Sequence, residues 1–579
     1  MIKIGNCSGF YGDRISAMRE MLEDGELDYL TGDYLAELTM LILGKDTFKD
    51  PNLGYARTFV RQAEDCMGLA LEKGVKIVSN AGGLNPRGLA DKLREIAGGL
   101  GLNVAIAHIE GDDLRPKVAE LGLANEYGDP LTANAYLGAF GIASALKQGA
   151  DVVVTGRVTD ASVVVGPAIA AFDWQTTDYD PLAAAVVAGH IIECGTQATG
   201  GNFAGFLTLP DRRKPFGFPI AEISADGGVV ITKHEGTGGA VLVDTVTAQL
   251  VYEIQTTTYL NPDVSVDLSS IELSQQGTDR VAISGVRGFE PPENLKVCLN
   301  HIGGLRNSCE VVVTGLDIEE KIAWIKQQVE DSFDGDLPAR LEWSNPGVAP
   351  LNAATEEAGS VLLRLSAFDT DANKVGKAFT APLVELALAS YPGLSLTSPP
   401  GKPSPYGVYS AAYVPREAVE HRVVHANGDV EVIADPETAA GAPEGVRREA
   451  GALTEGVSAE GSGSTTTAPL GSFVYARSGD KGGDANVGLW VRHDDDPRYE
   501  ARVAWLLGAI TPESVRALLP EAQDLGVEVY PLPNLGGVNV LIRGLLGAGV
   551  AATSRFDPQA KGVGEWIRSR FLEIPEGLL

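Results

Sequence analysis

The sequence contains no C-x-x-C pair, and its five cysteines (Cys7, Cys66, Cys194, Cys298, Cys309) lie scattered through 579 residues. An odd, unframed set argues against a disulfide scaffold or a zinc knuckle and implies reduced thiols. No apolar run approaches the ~18 residues that a membrane-spanning helix needs. Residues 1 to 10, MIKIGNCSGF, lack the basic start and apolar core of a signal peptide and read as a strand. Positive charge is scarce: 46 Lys and Arg face 77 Asp and Glu, for a net charge of -31. Such a field repels nucleic acids and anionic membranes, so neither is an expected partner. The expected location is the cytoplasm. An anionic ligand would need locally placed Arg, Lys or backbone N–H groups.

What is present is an ordinary globular composition, 44% hydrophobic and 21% charged, in a chain long enough for two to four domains. Up to about residue 210, short β-branched runs alternate with amphipathic ones: IKIG, LDYLTG, VKIVSNAGG, LNVAIAHIEG and ADVVVTG. That alternation predicts an α/β unit around a mainly parallel sheet flanked by helices. Between 211 and 435, segments such as GVVITKHEG, AVLVDTVTAQLVYEI, RVAISGVRG and CEVVVTG alternate apolar and polar residues, with a helix from about Asp317. They predict an antiparallel α+β portion of the same large domain, 1–435. Residues 436–470 hold few large apolar side chains and read as a flexible linker. Residues 471–579 form a small C-terminal α+β domain.

Ligands of open parallel sheets bind beyond the carboxyl ends of the strands, so the polar turns there carry the candidate chemistry. GNCSGFYGD offers Gly5, Gly9 and Gly12 for close backbone approach. With Asp33 near the end of the second strand, it is a weak match to a dinucleotide-binding loop. In SNAGGLNPRG, Asn85 and Pro86 suit a helix start, while Asn80, Gly82, Gly83 and Arg87 can hold an anion. TGRVTDAS places Arg157 three residues before Asp160: a structural ion pair, or an anion clamp beside a proton-transfer group. In GHIIECGTQATGGNF, His190, Glu193 and Cys194 share a helix face as an acid–base pair and a nucleophile or core thiol, and Asn202 lies on the turn that follows. HIGGLRN (301–307) reads as a hairpin between strands, with a ligand role as the alternative.

The densest polar run is YARSGDKGGDANVG (475–488). Arg477 and Lys481 are its candidate anion contacts, Asp480 and Asp484 orient those bases or bind a cation, and Asn486 completes the loop. The alternative is an interface loop between domains or subunits. The spacing is not that of an EF-hand, and no metal is assigned.

Taken together, IGNCSGFYGDR, SNAGGLNP, VVVTGRVTDAS, GHIIECGTQATGGNF, ARSGDKGGDANVG and LPNLGGVNVLIRGLLGAG resemble the acyclic terpene utilisation protein (AtuA) family. The resemblance covers 1–435 and 471 to about 575, and the linker has no counterpart. It implies catabolism of acyclic isoprenoids whose acids are degraded as coenzyme A thioesters, with no settled reaction. The expectation is an enzyme acting on an acyl-CoA or its free acid, as a hydratase, lyase or thioester hydrolase. The alternatives are a metabolite-binding or scaffold subunit, or a nucleotide-dependent enzyme using the Gly5–Asp13 loop. A small anionic substrate and further copies of the chain in a homo-oligomer are the expected partners; no cofactor is assigned, a coenzyme A thioester entering as substrate.

Overall fold

The computed structural model describes residues 1–345, 347–439 and 464–579. Strands β1 (Ile2–Asn6), β2 (Tyr29–Gly32), β3 (Lys76–Ser79), β4 (Ile106–Glu110), β5 (Thr132–Ala135) and β6 (Val152–Thr155) come from the first part of the chain. Five of them pair in parallel in the order β1, β2, β3, β6, β4. Helices cover both faces, so β3 and β6 are buried along almost their whole length rather than on alternate residues.

The parallel core sits inside an eleven-stranded sheet. Pro219–Ile223 adds antiparallel to β1, followed outward by Val229–Lys233, Arg280–Ser284 and Glu272–Gly277. Arg422–Val424 and Val430–Val432 extend the other edge. Residues on both sides of position 210 therefore share one sheet. A second, antiparallel sheet is built on the 21-residue strand Asn294–Thr314, which pairs with Ser404–Pro415, Ser360–Asp369 and β5.

Two local readings are corrected. AVLVDTVTAQLVYEI, expected as a strand, forms the helix Val243–Leu250, because Thr245 caps it and nearly every face is buried. Burial on all sides erases the period that separates helix from strand. HIGGLRN is not a hairpin but the middle of the long strand, where register shifts between Ile302 and Gly304. Of the stretch read as a linker, 440–463 lies outside the described residues, and Thr465–Pro469 pairs with Phe571–Pro575.

The C-terminal domain is a four-stranded antiparallel sheet in the order Val474–Lys481, Asp484–Val491, Gly537–Ile542, Val527–Leu532, with helices packed against it. Its first two strands are the YARSGDKGGDANVG segment. That segment is a hairpin whose turn is only Gly482-Gly483, and Gly482 at φ 67° supplies the left-handed residue a tight turn needs. The hairpin docks on the large domain. A Cβ at Gly479 would collide with the Tyr252 ring and one at Gly488 with Val251. Trp490, fully buried, donates from Nε1 to Asp244 at 2.9 Å. Asn486 donates to Val251 O at 2.8 Å and accepts from Glu253 N at 2.8 Å. Among the described residues no helix is long and apolar enough to cross a membrane.

Candidate active site

A parallel sheet delivers the ends of its strands to one rim, and here that rim opens into a cavity of about 650 Å³. Asp33 follows β2, and Arg157 and Asp160 follow β6. Glu193 and Cys194 follow the buried helix Tyr179–Ile192. The docked hairpin closes the other side with Asp480, Lys481, Gly482, Gly483 and Asp484. Leu35, Leu38, Leu41, Tyr136, Tyr259 and Tyr409 add apolar and aromatic wall.

Arg157 is buried, stacks over the Tyr136 ring at 4.4 Å, donates to Leu35 O at 3.1 Å and faces Asp160 at 3.0 Å. Asn80 does not reach the cavity; it donates to Asp33 at 2.5 Å and accepts from Tyr34 N, fixing the carboxyl. His190 lies behind Glu193, with Nδ1 and Oε1 3.2 Å apart, and its ring is 5.0 Å from that of Tyr259.

Eight carboxyl side chains line the wall (Asp33, Glu37, Asp160, Glu193, Glu253, Glu293, Asp480, Asp484), against three cations, Arg157, Lys296 and Lys481. They coexist because several carboxyls are held neutral. Burial, then the charge of Asp160, pushes both Asp33 and Glu193 well above the usual carboxylate range. Burial, then Glu253 and Glu37, raises Asp480 to about 8. Glu37 goes the other way: burial opposes its charge, but Lys296 and Arg157 outweigh that and hold it at about 2. Burial, aided by Lys481, lowers His190 to about 4. Both shifts favour the uncharged forms of His190 and Glu193 in their contact.

Stability should follow from these shifts. A carboxyl whose pKa is raised on folding keeps its proton where the unfolded chain has lost it, so the fold loses stability as pH rises between the two values. For Asp480 that window runs from the ordinary 3.8 to about 8, and Asp112, raised by burial to about 7, adds to it. The lowered His190 acts oppositely, but only between about 4 and 6.5. Melting temperature should therefore fall from pH 6.5 to 8, by up to about 1.4 kcal/mol of stability per pH unit for one group. Asp480→Asn should flatten that fall; an identical pH slope in the variant would contradict the assignment.

Other expected site residues do other work. Gly5 lies inside β1, packed against Met21 and Leu27. Gly9 N–H is taken by Asp13 at 2.9 Å, and a Cβ on Gly9 would meet the Cys194 carbonyl carbon at 2.6 Å. Gly12 is exposed. The glycine loop closes on itself and packs against the Cys194 turn, with Gly9 at the cavity wall, and Asp33 belongs to the carboxyl cluster. Gly82 and Gly83 pack tightly at the start of helix Pro86–Leu100, which Asn85 caps; a Cβ at Gly83 would meet Gly54 O at 2.7 Å. Arg87 pairs with Glu110 at 3.2 Å, outside the cavity, and Asn202 is exposed at φ 55°.

Arg477 is buried against Gln197 and the Tyr252 ring and so joins the two domains. Asp484 is held by Arg543 at 2.9 Å and Gly544 N at 2.8 Å, and Asn486 clamps the Val251–Glu253 turn. Cys194 does line the cavity. Burial, then Glu253, pushes its thiol far above the ordinary value, which opposes formation of a thiolate there.

Sequence reasoning missed Glu37, Glu253 and Lys296. Glu253 carries a positive φ of 56°, a strained position held by Asn486, and Lys296 sits inside an alternating strand 3.8 Å from Glu37. None lies in a motif; an unexplained Lys in an apolar strand was the one available signal. Among the described residues no group of three or more His, Cys, Asp or Glu is placed to hold a metal ion.

Fold and site together define a two-domain α/β protein whose carboxyl-rich cavity lies between a parallel-cored sheet and a docked ferredoxin-like domain. Residues 2–425 match the family described as acyclic terpene utilisation family protein AtuA, and residues 468–573 match the AtuA ferredoxin-like domain. The chain belongs to the AtuA family, which places it in the context of acyclic terpene utilisation. No individual curated protein matched it.

Proposed function

We propose that the chain is an enzyme of branched, acyclic acid breakdown that adds water to, or removes it from, an acyl-CoA thioester or its free acid in the interdomain cavity. The observation that carries this reading is a set of buried polar atoms with no hydrogen-bond partner among the described residues. Arg157 Nε and Glu193 Oε2 belong to the cavity wall, with His190 Nε2 behind them. Folded proteins leave few such groups unpaired, and a cluster at one cavity marks a place where another molecule supplies the partners.

The protonation pattern suits acid–base work. Asp160 takes a proton from water as the water oxygen bonds one alkene carbon, and Glu193 gives its proton to the other carbon. Proton transfer between the two coupled carboxyls then resets the pair. Arg157 orients Asp160, and Lys481 at the hairpin tip faces the substrate carbonyl. Hydrolysis through Cys194 is disfavoured because burial opposes ionisation of the thiol.

Thermal-shift titration with branched unsaturated acyl-CoA thioesters, the free acids, NAD and ATP tests the reading. A ligand at 100 times its dissociation constant adds ~2.7 kcal/mol of stability. The expected result is stabilisation by a thioester or acid that is then converted to its hydrated product. Stabilisation without conversion would indicate a binding subunit. A response to NAD or ATP alone would point to nucleotide chemistry.

A further inference from the structure

The outer edge of the cavity carries positive charge that the carboxyl cluster inside does not use. Lys45 lies one turn beyond Leu41 on helix Glu37–Lys49, so the two share a face, and Leu41 lines the cavity. Its Nζ donates to Pro405 O at 3.4 Å. Arg306, on the long strand, pairs in register with Ser404, the residue beside Pro405, and donates to Ala551 O at 3.1 Å. Ala551 and Gly407 also line the cavity, so both cations sit just outside its lining, on segments that form its wall. Arg340 flanks them, donating to Ala552 O at 2.7 Å, with its charge shared by Glu342 at 3.4 Å.

Lys45 and Arg306 have carbonyls as their polar partners. No carboxylate among the described residues lies within ion-pair distance of either, and the neighbouring Asp46 faces Arg57 at 3.8 Å. Burial, then the nearby Arg306 charge, lowers the pKa of the Lys45 amine, in keeping with two close like charges. In a chain of net charge -31, carboxylates to relieve that repulsion are plentiful, yet none is placed there. Capping a carbonyl requires only a neutral donor such as glutamine. Two unrelieved charges fit a ligand that brings its own anion.

We propose that Lys45 and Arg306 form the docking point for the phosphate groups of a phosphorylated organic ligand whose acyl end reaches the carboxyl cluster. The inference rests on the acid–base site proposed above and adds the chemical class of the substrate's tail. It also divides labour: anion recognition just outside the cavity lining, proton transfer at the rim of the sheet.

The test compares calorimetric binding of a branched acyl-CoA with that of the matching pantetheine thioester, for the full-length wild type and for K45Q/R306Q. Inorganic pyrophosphate, ATP and free CoA serve as competitors. The wild type should prefer the CoA thioester by at least about tenfold. In the variant that preference should collapse towards one, and in the wild type it should shrink as salt rises. Pyrophosphate should compete in the wild type alone. Competition by ATP as strong as by CoA would mean that the docking point reads phosphate in general; CoA competing better would mean that it also reads the pantetheine arm.

A CoA preference that persists in a folded variant, or no preference in the wild type, would overturn the inference. Lys45→Gln alone, at a partly exposed position, repeats the measurement should the double variant fold poorly. Turnover of pantetheine and CoA thioesters at equal affinity would leave the proposed reaction standing and remove the phosphate site. Phosphate-dependent binding that the variant loses, with no turnover in either protein, would do the reverse.

Discussion

Asp160→Asn is expected to lower turnover by about 10²–10⁴-fold while the protein stays folded and still binds its ligand. The amide keeps the size of the carboxylate and an oxygen that can face Arg157, but it takes up no proton. Removing a charge beside a buried guanidinium usually costs stability. Here the ionised Glu37 also acts on Arg157, so the guanidinium is not left in a neutral pocket. Glu193 should respond in the same variant, because the Asp160 charge is, after burial, the largest influence raising its pKa. The acidic carboxyl therefore shifts towards ionisation at lower pH, and the residual activity should carry an altered pH profile. Steady-state kinetics with the substrate found by thermal shift, alongside circular dichroism, check both parts. Near-normal turnover in a folded Asp160→Asn protein would remove Asp160 from the chemistry.

Arg157→Leu should be the most damaging single change to the fold, costing about 3–5 kcal/mol. Three partners are abandoned at once. Asp160 loses its cation, the Leu35 carbonyl loses a donor and the Tyr136 ring loses the stacked guanidinium. Glu37 also loses one of the three charges, with Lys296 and Lys481, that hold it ionised. Leucine fills the space, yet it leaves the carboxyls of the rim facing one another without compensation. Lysine should rescue poorly, since a single ammonium cannot serve the carbonyl, the carboxylate and the ring face in the planar geometry that a guanidinium provides. Urea denaturation measures the loss, and a change below about 1 kcal/mol would show that the rim does not depend on this pair.

Much of the architecture was legible because strand-helix alternation and strand-end turns are local signals. IKIG, VKIVS and DVVVT announced the parallel core, and Asn85-Pro86 announced the helix that follows β3. The helix Val243–Leu250 was not legible, since a segment buried on nearly every side has no period to read. Within the candidate site, Arg157, Asp160 and Glu193 stood out as charged residues directly after apolar runs. Glu37 and Lys296 did not, because each looks like an ordinary surface residue until Arg157, Tyr136 and Tyr409 are packed around it. The 475–488 segment was noticed for its polar residues, but their roles were hidden. Arg477 and Asn486 bind the large domain, whereas Asp480 and Lys481 reach the cavity.

By itself the sequence determined which strands are buried on both faces and which turns follow them, because those properties depend on the order of neighbouring residues. It also set an acidic chain with no cysteine framework. Only the tertiary structure decided which carboxyls are neutral, since that depends on burial and on charges brought together from positions as distant as Asp33 and Asp480. It likewise decided that a two-glycine turn from the C-terminal domain closes the cavity, because whether a hairpin meets solvent or another domain is fixed by the surface it docks on.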